Sequence, residues 1–280
     1  MRCIYCKQPS DASHSVEHVI PESLGNDHVI LPAGTVCDGC NNYFSRKVEA
    51  PFLNAPLLQL LRFEQVLPSK RGRVPPMAVF SPQLGRGAIR RDRDGVPSTI
   101  AFEASPLLDR STRRRQPFIT YTPMVPPSGS ITSRFLAKVA IGYIAHLLVG
   151  TSNGAETVVD DTGLDRVRSH ARRGTEPDWP IKVRAIYSPD RQWPDPAGSS
   201  QIVTEVDLLE HEEDAFLVFA VFGTELTIPL IEPKIDGYER WLRLNDDASP
   251  LYPSDGAADL GWTAEPPGPY PRDGWAWPRP

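Results

Sequence analysis

Between Asp38 and Leu61, apolar side chains recur three and four positions apart at Phe44, Val48, Leu57, Leu58, Leu60 and Leu61, a spacing that predicts helix. Pro51 and Pro56 should break it into two. Upstream, Val16, Val19 and Ile20 mark a short strand within His14 to Ile20, ended by Pro21. Residues 22–33 read as a loop turning at Gly25, and Thr35-Val36 predicts a second short strand. The local order is therefore strand, loop, strand, helix. Further short strands are predicted at 78–80, 99–102 and 118–121, before a turn-rich stretch at 123–129. A helix over 132–149 follows, with Ser130 or Thr132 as its cap.

That helix is apolar nearly all round. Arg134, Lys138, Gly142 and His146 recur every fourth residue and form one narrow stripe, so the helix reads as a buried spine with His146 a partly exposed structural histidine. A weaker helix near 161–173 precedes strands at 181–187, 201–209, 215–222 and 225–231, the last two joined by a hairpin turn at Gly223-Thr224. The fold class is α+β. A small amino-terminal module with its following helix (1–65) leads into a basic connecting region with short strands (66–129). An α+β domain with an antiparallel sheet packed on a buried helix (130–263) comes next, then a Pro/Trp-rich tail (264–280).

Composition refines this picture. With 40 % apolar and 23 % charged residues among 280, a packed core is expected, while 30 prolines favour short elements and many loops. The net charge of −5 argues against coating nucleic acid by bulk electrostatics. It is unevenly spread: residues 1–120 carry +5 and residues 121–280 carry −10. Most of the basic residues are Arg, whose planar fork pairs well with phosphate, and a genomic preference for Arg codons explains the bias equally well.

All four cysteines fall in two knuckles, Cys3-x-x-Cys6 and Cys37-x-x-Cys40. Such pairs read as a zinc site in a reducing compartment, and a ligand at the third residue leaves no room for a leader, so a cytoplasmic location is expected. The apolar run from Phe135 to Val149 is too short for a membrane span and contains Lys138 and His146. Four thiolates close the shell of a tetrahedral zinc, which makes this ion structural.

Between the knuckles stand Glu17 and His18, and Asn41 directly follows the fourth cysteine. A carboxylate oxygen and an amide oxygen suit a hard cation such as Mg²⁺, and a neutral imidazole beside it can deprotonate a water for in-line attack on phosphate. His14 and His28 are expected in solvent, and Asn42, about 100° further round a helix, points away from Asn41.

The run Glu17-His18-Val19-Ile20-Pro21-Glu22-Ser23-Leu24-Gly25, followed by Cys37-x-x-Cys40-Asn41, resembles the HNH endonucleases of the ββα-metal superfamily, in the subgroup braced by four zinc-bound cysteines. The resemblance covers roughly residues 3–50. It implies His18 as general base, Glu17 and Asn41 as ligands of the catalytic divalent metal, and Cys3, Cys6, Cys37 and Cys40 as ligands of structural zinc. Two positions depart from the usual pattern: Glu17 stands where many members have Asp or His, and Asn26 where a second Gly is frequent.

The leading expectation is a DNA endonuclease using Mg²⁺ or Mn²⁺. Arg90 and Arg91 in the cluster at 86–93, and Arg113, Arg114 and Arg115 in the cluster at 110–115, would hold the phosphate backbone. The alternatives are a non-catalytic zinc ribbon that binds nucleic acid or protein, and a nuclease directed at RNA. The carboxy-terminal domain carries no identified chemistry, and its acidic clusters, Asp160-Asp161 and Glu210 to Asp214, read as solvated loops. A homodimer contact or a regulatory partner is its expected role, which fits a defence-type nuclease.

Overall fold

Two residues of extended chain, Glu17–His18 (β1), pair antiparallel with Ile30–Leu31 (β2), placing Glu17 opposite Leu31 and His18 opposite Ile30. The structure is a computed structural model describing residues 1–69, 71–92, 95–103, 117–152, 154–175, 179–195 and 198–251. The tail at 264–280 and the whole cluster at 110–115, including Arg113, Arg114 and Arg115, fall outside the described residues. The second strand was expected at Thr35-Val36. Those residues are buried instead as a loop, and the Thr35 carbonyl accepts from Ile4 N at 3.1 Å, bracing the first knuckle.

So short a strand pair does not hold itself. Asn26 clips the connection together, donating from Nδ2 to the carbonyls of Ile20 (2.7 Å) and Val29 (3.2 Å) and accepting at Oδ1 from His28 N and Val29 N. A side-chain amide there does what a glycine cannot. Gly25, at φ 77°, turns the chain after the 3-10 segment Glu22–Leu24.

Cys37 caps the helix Asp38–Phe44 (α1), which runs through a π turn at Ser45–Glu49 into Ala50–Leu53 (α2). Pro51 does not break this run. It lies in the first turn of α2, where a missing amide proton is tolerated. Pro56 does begin a new helix, Pro56–Glu64 (α3).

The basic stretch at 86–93 mostly forms a strand. Met77–Ser81 (β3), Gly85–Arg91 (β4) and Pro97–Phe102 (β5) make a three-stranded antiparallel sheet, while the strand expected at 118–121 is reduced to one bridge between Phe80 and Tyr121.

The long helix is Gly129–Leu147 (α4), begun one turn earlier than expected because Ser128 caps it, accepting from Ile131 N at 3.3 Å. The helix expected near 161–173 is Asp165–Arg173 (α6), and a further helix, Gly154–Asp160 (α5), precedes it. Lys182–Ala185 (β6), Thr204–His211 (β9), Asp214–Val221 (β10) and Thr224–Pro229 (β11) form an antiparallel sheet in the order β6-β11-β10-β9. Trp193–Asp195 (β7) and Gly198–Ser200 (β8) form a separate small hairpin. Between β10 and β11 both Phe222 (φ 49°) and Gly223 (φ 73°) are left-handed, the requirement of a two-residue hairpin turn.

Strand β10 is apolar on both faces because both are covered. Leu217, Phe219 and Val221 join the main core with α4, whereas Phe216 and Val218 pack under Tyr238 and Leu242 of Asp236–Leu244 (α7), a helix absent from the sequence expectation. The main core also runs without a break into the amino-terminal module. It includes Cys3, Tyr5, Val19, Phe44 and Phe52 along with Phe135, Val139 and Phe219. Phe135 stacks on Phe52 with centroids 4.0 Å apart and meets Phe219 edge-on at 5.8 Å, so α4 is wedged between module and sheet.

The polar stripe on α4 is the face turned to the module. Arg134 donates to Tyr43 Oη (2.7 Å), Lys138 reaches Glu17 and Glu49, Gly142 lies against Tyr5 and Val19, and His146 Nδ1 is 3.2 Å from the Ile30 carbonyl. A Cβ on Gly142 would sit 3.0–3.1 Å from Val19 and Tyr5, closer than side chains normally approach. Among the described residues no helix is long and apolar enough to cross a membrane.

Candidate metal centre and active site

The two knuckles converge. The sulfur atoms of Cys3, Cys6, Cys37 and Cys40 all lie within 4.8 Å of one another, and Cys6 and Cys37 are 3.6 Å apart. A tetrahedron of zinc–sulfur bonds of about 2.3 Å has edges of about 3.8 Å, so the cluster has the size and donor chemistry of a zinc site. It is the one such group of His, Cys, Asp or Glu among the described residues.

Crowded sulfurs favour sharing a cation. The hydrogen bond with Cys40 draws the Cys3 thiol down to about 4, and the same contact with burial pushes Cys40 up. All four thiols would be deprotonated on zinc. Such an ion ties the first knuckle to the amino end of α1, the helix that carries Asn41. Asp38, next to Cys37, accepts from Ser15 N (2.9 Å) and Ser15 Oγ (2.5 Å), which fixes the approach to β1.

Glu17 and His18 are neighbours with opposite surroundings, since successive side chains of a strand leave on opposite faces. Glu17 is 3 % exposed. Its Oε1 lies 2.5 Å from Lys138 Nζ, which also meets Glu49 Oε1 at 2.8 Å and donates to the carbonyls of His18 (2.8 Å) and Val19 (2.9 Å). Four oxygens thus enclose an ammonium with no exposure. Burial is the largest influence on both partners. It pushes the Glu17 carboxyl up, whereas for Lys138 it is outweighed by Glu17 and Glu49, which hold the amine above its ordinary value.

His18 is partly exposed. Its Nδ1 is buried without a hydrogen bond, and its Nε2 is 4.0 Å from Glu22 Oε2. Asn41 is also partly exposed and donates from Nδ2 to the Val16 carbonyl at 3.2 Å, which sets its side chain beside the start of β1. His18, Asn41 and Glu22 are thus each partly exposed, His18 within 4.0 Å of Glu22, while Glu17 is turned to the interior. Glu17, expected to share one cleft with His18 and Asn41, is here buried and paired with Lys138.

Asn42, His14 and His28 are exposed, as expected. Among the basic residues, Arg86 and Arg90 project outward from β4. Arg91 does not: its guanidinium lies 4.3 Å over the Phe63 ring and donates to the carbonyls of Phe63, Glu64 and Gly95. Its expected role at the phosphate backbone is replaced by anchoring β4 to α3.

Sequence reasoning missed Lys138, Glu49 and Glu22. A lysine in an otherwise apolar helix was the available signal for the first, and Glu22 stands four residues beyond His18 in the quoted motif. Exposed Arg46 and Lys47 follow Asn41 on the π turn.

No curated protein and no solved structure matches the chain. Residues 3–57 match the family model described as HNH endonuclease, and the β1-β2-α1 order and the four-cysteine cluster both fall within the matched stretch.

Proposed function

We propose that the chain is a divalent-metal-dependent endonuclease that hydrolyses phosphodiester bonds of DNA. The observation that supports this most is that the stretch matching the HNH endonuclease family model holds a four-thiol cluster together with a partly exposed His18 and a partly exposed Asn41, whose amide bonds the Val16 carbonyl two residues before His18. In this reading His18 takes the proton from the attacking water, and the Asn41 amide oxygen would hold a Mg²⁺ or Mn²⁺, which when bound would offset the charge that develops on the phosphate oxygens. Glu22 is a carboxylate within 4.0 Å of the imidazole. Glu17 serves from behind, as counter-charge to Lys138 rather than as ligand.

Zinc in the cysteine cluster keeps β1 and α1 in register and takes no part in the chemistry. Arg46, Arg86 and Arg90 are the exposed cations suited to phosphate contact, giving affinity without choice of sequence. Supercoiled plasmid and a structured RNA, each incubated with Mg²⁺ or Mn²⁺, test the reading. Cleavage of the plasmid by wild type and its loss in His18→Ala are expected. Equal nicking by both proteins excludes His18 as the base, retention of plasmid without cleavage favours a binding module, and cleavage of RNA alone reassigns the substrate.

A further inference from the structure

The strand that carries His18 is two residues long and has one partner strand, so its position must be set from outside. Lys138 supplies this. Two of the four oxygens around its ammonium are main-chain carbonyls, those of His18 itself and of Val19, and a third belongs to Glu17 on the other side of His18. Three consecutive residues centred on His18 are thus held by one cation projecting from α4. Val19 is held a second time, its amide donating to the Val29 carbonyl at 3.0 Å.

The rest of the stripe keeps the ammonium where it is. One turn before it, Arg134 bonds Tyr43 of α1, and one turn after it Gly142 lets the helix approach Val19 and Tyr5 at contact distance. Tyr5 Oη in turn donates to the Lys138 carbonyl at 2.9 Å. The opposite face of α4 is fixed by the sheet through Phe135 and Phe219. A buried ion cluster is a poor source of net stability, and it is the choice of acceptors that gives this one its meaning.

We infer that Lys138 is a positioning residue for His18, so that helix α4, which is packed on the carboxy-terminal sheet, is part of the scaffold of the nuclease site and not a separable appendage. This rests on the proposed role of His18 as general base. A base must reach its water within hydrogen-bonding distance, and a displacement of about 1 Å costs up to about a hundredfold in rate. Lys138 touches neither substrate nor metal and acts through the backbone it holds.

The test uses the full chain as wild type, His18→Ala, Lys138→Met, and the charge-neutral triple variant Lys138→Met, Glu17→Gln, Glu49→Gln. The triple variant guards against unfolding by the unpaired carboxylates of buried Glu17 and half-buried Glu49. For each folded, zinc-loaded protein, kcat and KM are measured on a short DNA duplex with Mg²⁺, and the histidine ring signals are read by NMR on ¹⁵N-histidine-labelled protein. The His18 signal is the one missing in His18→Ala. The inference expects kcat to fall about ten- to a hundredfold with KM within about twofold, and the His18 ring signal to move while those of His28 and His211 stay. Where His18→Ala abolishes cleavage, an unchanged kcat per folded molecule in the triple variant overturns the positioning role. Where His18→Ala cleaves as well as wild type, the proposed function falls, and the ring signal alone decides whether Lys138 positions His18: unmoved, it overturns the inference.

Discussion

Two cages for positive charge flank the strand that bears His18. One is made of four sulfurs from two knuckles close to either end of the finger, and it needs an ion from solution. The other is made of four oxygens from β1 and the π turn, and its cation arrives on a side chain of α4. The difference teaches where each half of the bracing comes from. The thiol cage lies wholly within residues 3–40, whereas the oxygen cage is incomplete until residue 138 has folded against it.

Breaking the thiol cage should have the largest effect. Structural zinc contributes about 10–16 kcal/mol in small zinc modules, so Cys37→Ser should lose the metal and unfold the finger while the β6-β11-β10-β9 sheet survives. Metal analysis and amide hydrogen exchange over residues 3–50 check this, and full protection of those amides in the zinc-free protein would break the comparison at its first term. Next comes the oxygen cage. Lys138→Met strands the buried Glu17 carboxylate and the half-buried one of Glu49, and should cost about 3–5 kcal/mol in urea unfolding, with zinc still bound. Glu17→Gln should cost less, because Glu49 still pairs with the ammonium, and it should leave the Mg²⁺ concentration for half-maximal cleavage unchanged; a large rise in that concentration would make Glu17 a ligand after all.

Smaller effects sharpen the same contrast. Gly142→Val pushes a branched side chain against Val19 and Tyr5 and should destabilise by about 1–3 kcal/mol in the same unfolding assay. The smallest concerns Asp38, whose carboxyl is held below its ordinary value of 3.8, first by the Ser15 hydroxyl and then by the Ser15 amide. A lowered folded pKa stabilises the fold above the unfolded value and is lost as pH falls through the folded one. Acid unfolding of Asp38→Asn should therefore show a slightly shallower dependence on pH below about 4 than wild type.

The thiol cage was legible because cysteine spacing is a local signal, with all four ligands inside 40 residues and no competing use for them. The helix carrying Lys138 was legible too, as was its stripe of four residues. Its meaning was not. A lysine on an apolar helix is commonly the solvent-facing position, and nothing local to residue 138 names a carboxylate 121 positions earlier as its partner. The burial of Glu17 is illegible for the same reason: its motif position points to the metal, while the strand's alternation and a distant ammonium turn its side chain inward. The second β-strand of the finger was displaced from 35–36 to 30–31 because burial against a knuckle and pairing with β1 leave the same apolar pattern. Pro51 was read as a break because the π turn before it leaves no trace in hydropathy.

The stripe on α4 imposes a phase. Arg134, Lys138, Gly142 and His146 all engage the finger, so the helix and the finger mesh like a screw and its thread. Inserting one alanine between Lys138 and Gly142 would turn everything after it by about 100° and carry Gly142 and His146 off their partners, although not one side chain had been changed. The length of that helix segment is thus as much a part of the site as the residues on it.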